Sequence, residues 1–294
     1  MTDHSHPELA DAAPHSTAPA PGGPGDLVRQ LTVAASAVIA VAGSFIGSGA
    51  AGGTPIQDAA GGALAADATL IAPGTGAFSI WSLIYLGLLV YAVWQFLPGQ
   101  KRAARQRRLG YLVAASLLLN AAWILSVQFD LIWLSVPVII ALLVVLARAF
   151  VITIQDPPTG AVDGIVTDGT IGLYLGWVCV ATAANIAAVL VAAGFDGWGI
   201  GAEVWAVAVL ALAGVVGILL AVYGGGRIAP TLSLVWGLAW VGVARLSAEP
   251  FSGATAIGAI VAAGAVVAVT AVARVHAQRT PLSARLRQAR GTRL

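Results

Sequence analysis

Long runs of apolar residues alternate with short polar connections along most of the chain. Eight of these runs approach the roughly 20 residues that an α-helix needs to cross a bilayer. They lie at 31–51, 76–97, 110–128, 131–152, 171–193, 204–223, 228–244 and 254–275. Backbone groups in lipid must be hydrogen-bonded within their own segment, and the alternating pattern of a membrane β-barrel is absent. We therefore predict an all-α bundle of eight transmembrane helices.

The composition agrees with lipid as the solvent of these segments. Of the 294 residues, 59% are hydrophobic and only 10% are charged, and the mean hydropathy is +0.89. Soluble domains carry charge on about a quarter of their residues, so a water-soluble globular fold is excluded. The high apolar content excludes an intrinsically disordered chain.

Basic residues are distributed unevenly between the two sets of predicted loops. If the N-terminus is cytoplasmic, all of the 15 Lys and Arg residues except Arg245 fall in or near inner regions, as the positive-inside rule requires. The acidic residues that fall outside are Asp58, Asp67, Asp130, Asp196, Glu203 and Glu249. This partition predicts eight spans with both termini inside, because six or seven spans would break it.

The segments outside the predicted helices differ in composition. Residues 1–27 are rich in Pro, Ala and Gly and predict a disordered tail rather than a signal peptide. The basic loop 101–108 and the basic tail 276–294 lack the interleaved aromatic residues of nucleic-acid sites. We expect them to meet anionic lipid headgroups and no nucleic acid. The loop 52–72 is long for a connection, which indicates either a functional or a disordered loop.

Catalysis and ion coupling have few candidate residues in this sequence. The predicted helix cores hold no Asp, Glu, Lys or His at mid-depth, which disfavours ion-driven transport. No Ser-His-Asp set, phosphate-binding glycine loop or metal motif occurs, so we expect no catalytic residue, no metal site and no enzyme activity. Arg245 and Glu249, four residues apart near the outer end of the seventh segment, are expected to form an interfacial ion pair.

Aromatic and amide residues instead share one face on each of three predicted helices. These faces carry Phe78, Trp81 and Tyr85 on the second segment, Asn120 and Trp123 on the third, and Tyr174, Trp177, Ala181 and Asn185 on the fifth. Asn120 and Asn185 are the only asparagines of the chain. An unpaired amide in a membrane helix is costly, so each needs a partner, and the pattern leaves open whether that partner is another helix or a ligand.

The depths of these residues along their helices are similar. Counted inward at about 1.5 Å per residue, Trp81 and Trp123 lie at about 8 Å and the two asparagines at about 12 to 14 Å, whereas Trp177 lies at about 24 Å. The faces therefore predict an apolar cavity with a few convergent polar groups, which suits a flat hydrophobic ligand.

The other Trp residues fall into two groups. Most lie near predicted helix ends, where the interfacial aromatic belt explains them: Trp94, Trp133, Trp198 and Trp205. Trp236 and Trp240, at i and i+4 of the seventh segment, stay open between helix packing and a second binding site.

In three helices the sequence resembles the TspO/MBR family, the tryptophan-rich sensory proteins related to the translocator protein. The likeness covers about residues 31–193. The residues that carry it are Pro73, Phe78, Trp81 and Tyr85, then Asn120 and Trp123, then Tyr174, Trp177, Ala181, Thr182 and Asn185. The chain departs from the family pattern at Gly76, where many members have Trp, and at Leu173, where the family has Pro.

This resemblance implies a five-helix ligand-binding core over 28–193, followed over 194–275 by a three-helix extension as in longer bacterial relatives. It implies a multi-pass protein of a bacterial cytoplasmic membrane that binds a tetrapyrrole such as protoporphyrin IX, with no other cofactor. The ligand contacts it implies are made by ten of these motif residues, all except Thr182, in a pocket capped by the first loop. Many members are homodimers, and some bacterial members are linked to porphyrin breakdown.

Two other functions stay open on the sequence alone. One is a facilitative transporter or exporter of a small molecule, in which the extra helices complete a pathway. The other is a membrane scaffold that regulates a partner protein.

Overall fold

The computed structural model describes residues 23–49 and 54–279. Within these ranges the chain is helical and has no strand. Eight of the described helices are long and apolar enough to cross a membrane, which confirms the predicted all-α fold and its eight spans. They are α1 (Pro24–Gly47), α2 (Ile80–Trp94, preceded by the 3-10 turn Thr75–Ser79), α3 (Ala104–Gln128), α4 (Ile132–Gln155), α5 (Ala161–Ala192), α6 (Ala202–Tyr223), α7 (Ile228–Ser247) and α8 (Gly253–Arg279).

Three helices begin well before the apolar segments that predicted them. α1 begins at Pro24 rather than at 31, α3 at Ala104 rather than at 110, and α5 at Ala161 rather than at 171. The last residues of the predicted N-terminal tail and most of the predicted basic loop are therefore helical. The remainder of the two predicted tails, 1–22 and 280–294, lies outside the described residues.

Ion pairs between helices satisfy the charges in these added turns. Arg105 of α3 pairs with both Asp163 and Asp168 of α5, and Arg227, just before α7, also pairs with Asp168. These side chains lie where the connections α2–α3, α4–α5 and α6–α7 meet, which we call the basic end of the bundle. The opposite end, which carries the loop between α1 and α2, is called the loop end.

The last three helices pack on the core instead of forming a separate bundle. α5 packs along α7 as extensively as α7 packs along α8, and α8 packs in turn along α6. Small residues allow this close approach. A Cβ atom added to Gly176 of α5 would lie only 2.0 Å from the carbonyl oxygen of Pro230 in α7.

The chain between α1 and α2, called the first loop, folds into the mouth of the bundle. Its last residues carry Trp81 so far inward that the ring centroids of Trp81 and Trp177 are only 6.3 Å apart. The predicted depth difference between these two indoles, about 16 Å at about 1.5 Å per residue, is therefore wrong. The count assumed that the second span starts at the membrane surface, whereas α2 starts inside the bundle.

Candidate functional site

A small cavity, which we call the closed cavity because of its small free volume, lies near the loop end, beneath the first loop and between α2, α3, α4 and α5. Its free volume is about 50 Å³, room for one or two water molecules at about 30 Å³ each. Eight of the ten predicted site residues line it: Pro73, Phe78, Trp81, Asn120, Trp123, Trp177, Ala181 and Asn185. The structure thus brings together residues that are far apart in sequence, on three helices and the first loop.

The other two predicted residues, Tyr85 and Tyr174, lie outside this cavity. The Tyr85 hydroxyl accepts a hydrogen bond from Asn120 Nδ2 at 2.7 Å. The Tyr174 ring lies 5.8 Å from that of Trp81, and its hydroxyl donates to the carbonyl oxygen of Ser116 at 3.2 Å. Tyr174 therefore supports the indole of Trp81 from behind and does not reach the cavity wall.

Aromatic rings of α5, of α2 and of the turn before α2 meet edge to face in the wall of the closed cavity. The Trp177 ring lies 6.0 Å from that of Phe78 at 72° and 6.3 Å from that of Trp81 at 80°. Such T-shaped pairs are the favoured geometry for aromatic side chains. Trp177 thus lies at the junction of the cluster, in contact with both other rings.

Two buried polar groups of the wall have no hydrogen-bond partner within the described ranges. They are the indole nitrogen of Trp177 and the hydroxyl oxygen of Thr69, in side chains that are 2% and 9% exposed. Buried polar atoms are nearly always paired, so an unpaired donor in a cavity wall marks a place where a ligand atom or a water molecule can bind.

Both asparagines bind neighbouring helices while they line the cavity. Asn185 Oδ1 accepts a hydrogen bond from Trp123 Nε1 at 3.1 Å, and Asn185 Nδ2 donates to Ser135 Oγ at 2.9 Å. Asn120 donates to Tyr85, as described above. Each amide therefore has the interhelical partner that the sequence left open, while a ligand contact by these wall residues stays a prediction.

Several residues of the cavity wall belong to no sequence motif that could have identified them as site residues. The first loop supplies the roof through Ala63, Leu64, Thr69 and Ala72, and α4 supplies Ile139 and Leu142. Ser135 is different, since it is the one polar side chain in the apolar run 132–147 of α4. That isolation is a signal, because a lone hydroxyl in a membrane helix needs a partner.

The cavity wall carries no charged side chain. Among the residues that the structure describes, no group of three or more His, Cys, Asp or Glu could hold a metal ion. Recognition in this cavity therefore depends on apolar contact and on a few amide, indole and hydroxyl groups.

The two tryptophans of helix α7 form hydrogen bonds with the chain that leads into α2. Trp236 Nε1 donates to the carbonyl oxygen of Ala77 at 2.9 Å, and the carbonyl oxygen of Trp240 accepts from the Gly74 amide at 3.2 Å. A Cβ atom at Gly76 would lie 2.2 Å from the Trp240 ring, so only glycine fits at that position. These two tryptophans, which the sequence left unassigned, therefore hold the buried end of the first loop and the turn that precedes α2.

Arg245 of α7 binds the first loop rather than Glu249. The Arg245 side chain is 1% exposed and donates to the carbonyl oxygens of Ala66 at 2.6 Å and of Pro250 at 2.9 Å. No ion pair joins it to Glu249 in the described structure, where the Glu249 carboxylate accepts from the Phe251 amide at 3.3 Å. The predicted pair is wrong because α7 ends two residues after Arg245, so the helical i, i+4 spacing does not apply.

Two larger cavities flank the closed one. The α1–α2 cavity, of about 470 Å³, shares Phe78, Trp81 and Trp123 with it as a common wall. The α5–α6 cavity, of about 540 Å³, shares Thr69.

The chain matches a known family over most of its length. The family described as TSPO-like protein matches residues 33–273, which include α6, α7 and most of α8. No curated protein and no solved structure matches the chain. The match confirms the resemblance found in the sequence and indicates a translocator- or sensor-like role in a membrane. This multi-pass integral membrane protein belongs to the TSPO-like protein family.

Proposed function

We propose that the protein binds a flat hydrophobic molecule of the tetrapyrrole type at the closed cavity, for sensing or transport. The observation that carries this proposal is the unpaired indole nitrogen of Trp177 at the centre of an aromatic cluster. A planar macrocycle can stack on the rings of the wall. Its polar substituents can accept hydrogen bonds from the free indole N–H of Trp177 and the free hydroxyl of Thr69.

The ligand-bound state requires a larger cavity than the closed one. Sites for ligands of this size have volumes of about 300 to 1,000 Å³, whereas the closed cavity has about 50 Å³. Phe78 and Trp81 separate it from the α1–α2 cavity of about 470 Å³. A rotation of these two rings, with a shift of the roof, joins the two volumes. Tyr85, which lines the α1–α2 cavity, then becomes part of the same site.

Titration of the purified protein with protoporphyrin IX tests this proposal. Binding quenches Trp fluorescence, because three of the chain's tryptophans line the closed cavity. Trp177→Phe keeps a ring in the cluster but removes its N–H, so the dissociation constant rises about fivefold. Trp133→Phe is the matched control, because Trp133 is 64% exposed and lines none of the three cavities.

The proposal fails if protoporphyrin IX does not quench the Trp fluorescence of the unaltered protein. It also fails if Trp177→Phe and Trp133→Phe bind the porphyrin with the same affinity. Where binding is observed, uptake into proteoliposomes without an ion gradient distinguishes transport from sensing, since the cavity wall carries no charged side chain.

A further inference from the structure

The α5–α6 cavity lies at the loop end of these two helices, and its one charged lining residue is Asp196. Its wall includes Leu190 and Val191 of α5, which are 43% and 54% exposed, and Trp205 of α6. The indole nitrogen of Trp205 is already paired with the carbonyl oxygen of Gly197 at 3.1 Å, so the wall presents mainly apolar surface. With about 540 Å³, this cavity falls in the range of about 300 to 1,000 Å³ that small-molecule sites occupy.

Small residues lie between the α5–α6 cavity and the closed cavity where the two approach each other. Thr69 of the first loop lines both cavities. On α5, Ala184 and Ala188 line the closed cavity while Ala187 lines the α5–α6 cavity. At these positions the partition between the two cavities is formed by Thr69 and by alanine side chains of α5, none of which is bulky.

The hydroxyl of Thr69 is a polar group without a partner inside this partition. Thr69 is 9% exposed, and its hydroxyl makes no hydrogen bond to any described residue. A buried hydroxyl left unpaired destabilises the folded state, and a ligand atom that passes or occupies this position would pair it.

We propose that the α5–α6 cavity is a second binding site, in which the hydrophobic ligand of the closed cavity binds first after leaving the lipid. From there the ligand passes Thr69 into the closed cavity. This inference rests on the proposed function, because it assigns an entry route to the same ligand. It also gives α6 a role, since this helix supplies one wall of the entry site.

Stopped-flow quenching with protoporphyrin IX tests the entry site through variants that fill it. Ala187→Phe fills the cavity from α5, and Ala202→Phe fills it from α6. Because an entry route affects rates and leaves the final site unchanged, both variants should lower the association and dissociation rates at least fivefold with an unchanged dissociation constant. Ala211→Phe on the exposed side of α6 lines none of the three cavities and should keep the rates of the unaltered protein.

The outcomes separate the entry site from the proposed function. Absence of quenching in the unaltered protein overturns both. Normal quenching with unchanged rates in Ala187→Phe and Ala202→Phe overturns the entry site alone. Brominated lipids distinguish a third outcome. If they quench the fluorescence of Trp205, and neither Ala187→Phe nor Ala202→Phe changes the porphyrin association and dissociation rates, the cavity holds a lipid acyl chain only. That result also overturns the entry site.

Discussion

Polar side chains that line the closed cavity also form hydrogen bonds between helices. Asn185 holds α3 through Trp123 and α4 through Ser135, although all three side chains are buried. The helical spacing predicted that Asn185 lies on a shared face with Trp177 and Ala181, because periodicity fixes the direction of a side chain. It did not predict Ser135 as the partner, since no local pattern relates a serine of α4 to an asparagine of α5.

A double-mutant cycle measures the tie between Asn185 and Ser135. We expect Asn185→Ala to lower the free energy of unfolding by about 1 to 2 kcal/mol, because it leaves the Ser135 hydroxyl and the Trp123 indole without this partner. Ser135→Ala should cost less, and the coupling between the two changes should be about 0.5 kcal/mol or more. Unfolding in mixed detergent micelles provides the values. Strict additivity would contradict the hydrogen bond.

The first residues of α3 and α5 depart from the sequence prediction, and charges are paired between these two helices. Hydropathy ends a segment at its first charged residues, so the sequence predicts loops where the first turns of α3 and α5 lie. In the folded chain the guanidinium of Arg105 meets the carboxylates of Asp163 and Asp168, and this pairing lets both helices continue past the apolar segments. The number and order of the helices were predictable, because each span needs about 20 apolar residues. The ends were not, because they depend on partners distant in sequence.

Arg105 and Arg108 provide a matched comparison of buried and exposed ion pairs on one helix. Arg105 is 7% exposed and pairs with two carboxylates, whereas Arg108 is 42% exposed and pairs with Asp156. Arg105→Gln leaves buried carboxylates with less positive charge, so it should lower the free energy of unfolding by about 3 kcal/mol. Arg108→Gln should change it by less than about 1 kcal/mol. Equal losses in the two variants would contradict the burial of the Arg105 pairs.

At the scale of the whole molecule, α7 connects the last helices to the roof of the closed cavity. Trp236, Trp240 and Arg245 all bind the backbone of the first loop or of the turn before α2. These hydrogen bonds are made to backbone carbonyl and amide groups. Because nearly every residue has such groups, the sequence of the bonded segment does not indicate the bonds, and the pattern could not predict them. The match to the TSPO-like family also includes this helix.

Arg245→Gln tests whether α7 holds the first loop in place. Loss of the guanidinium removes the bond to Ala66, so backbone amides of the described loop, 54–74, should exchange with deuterium at least several-fold faster, since the loop opens more often. Glu249→Gln is the control and should leave exchange unchanged, because Glu249 does not pair with Arg245 in the described structure. Unchanged loop exchange in Arg245→Gln would contradict this role of Arg245, and equally faster exchange in both variants would indicate the ion pair with Glu249 that the sequence suggested.

The most direct test of the central claim is equilibrium binding of protoporphyrin IX, followed by porphyrin absorbance, to a protein whose closed cavity is filled. Ala181 lines that cavity, whereas Ala192, at the end of the same helix, is exposed and lines none of the three cavities. If the porphyrin binds where we propose, Ala181→Trp raises the dissociation constant at least tenfold, or by about 1.4 kcal/mol, while Ala192→Trp leaves it unchanged. Equal affinity in the two variants would contradict the proposed site.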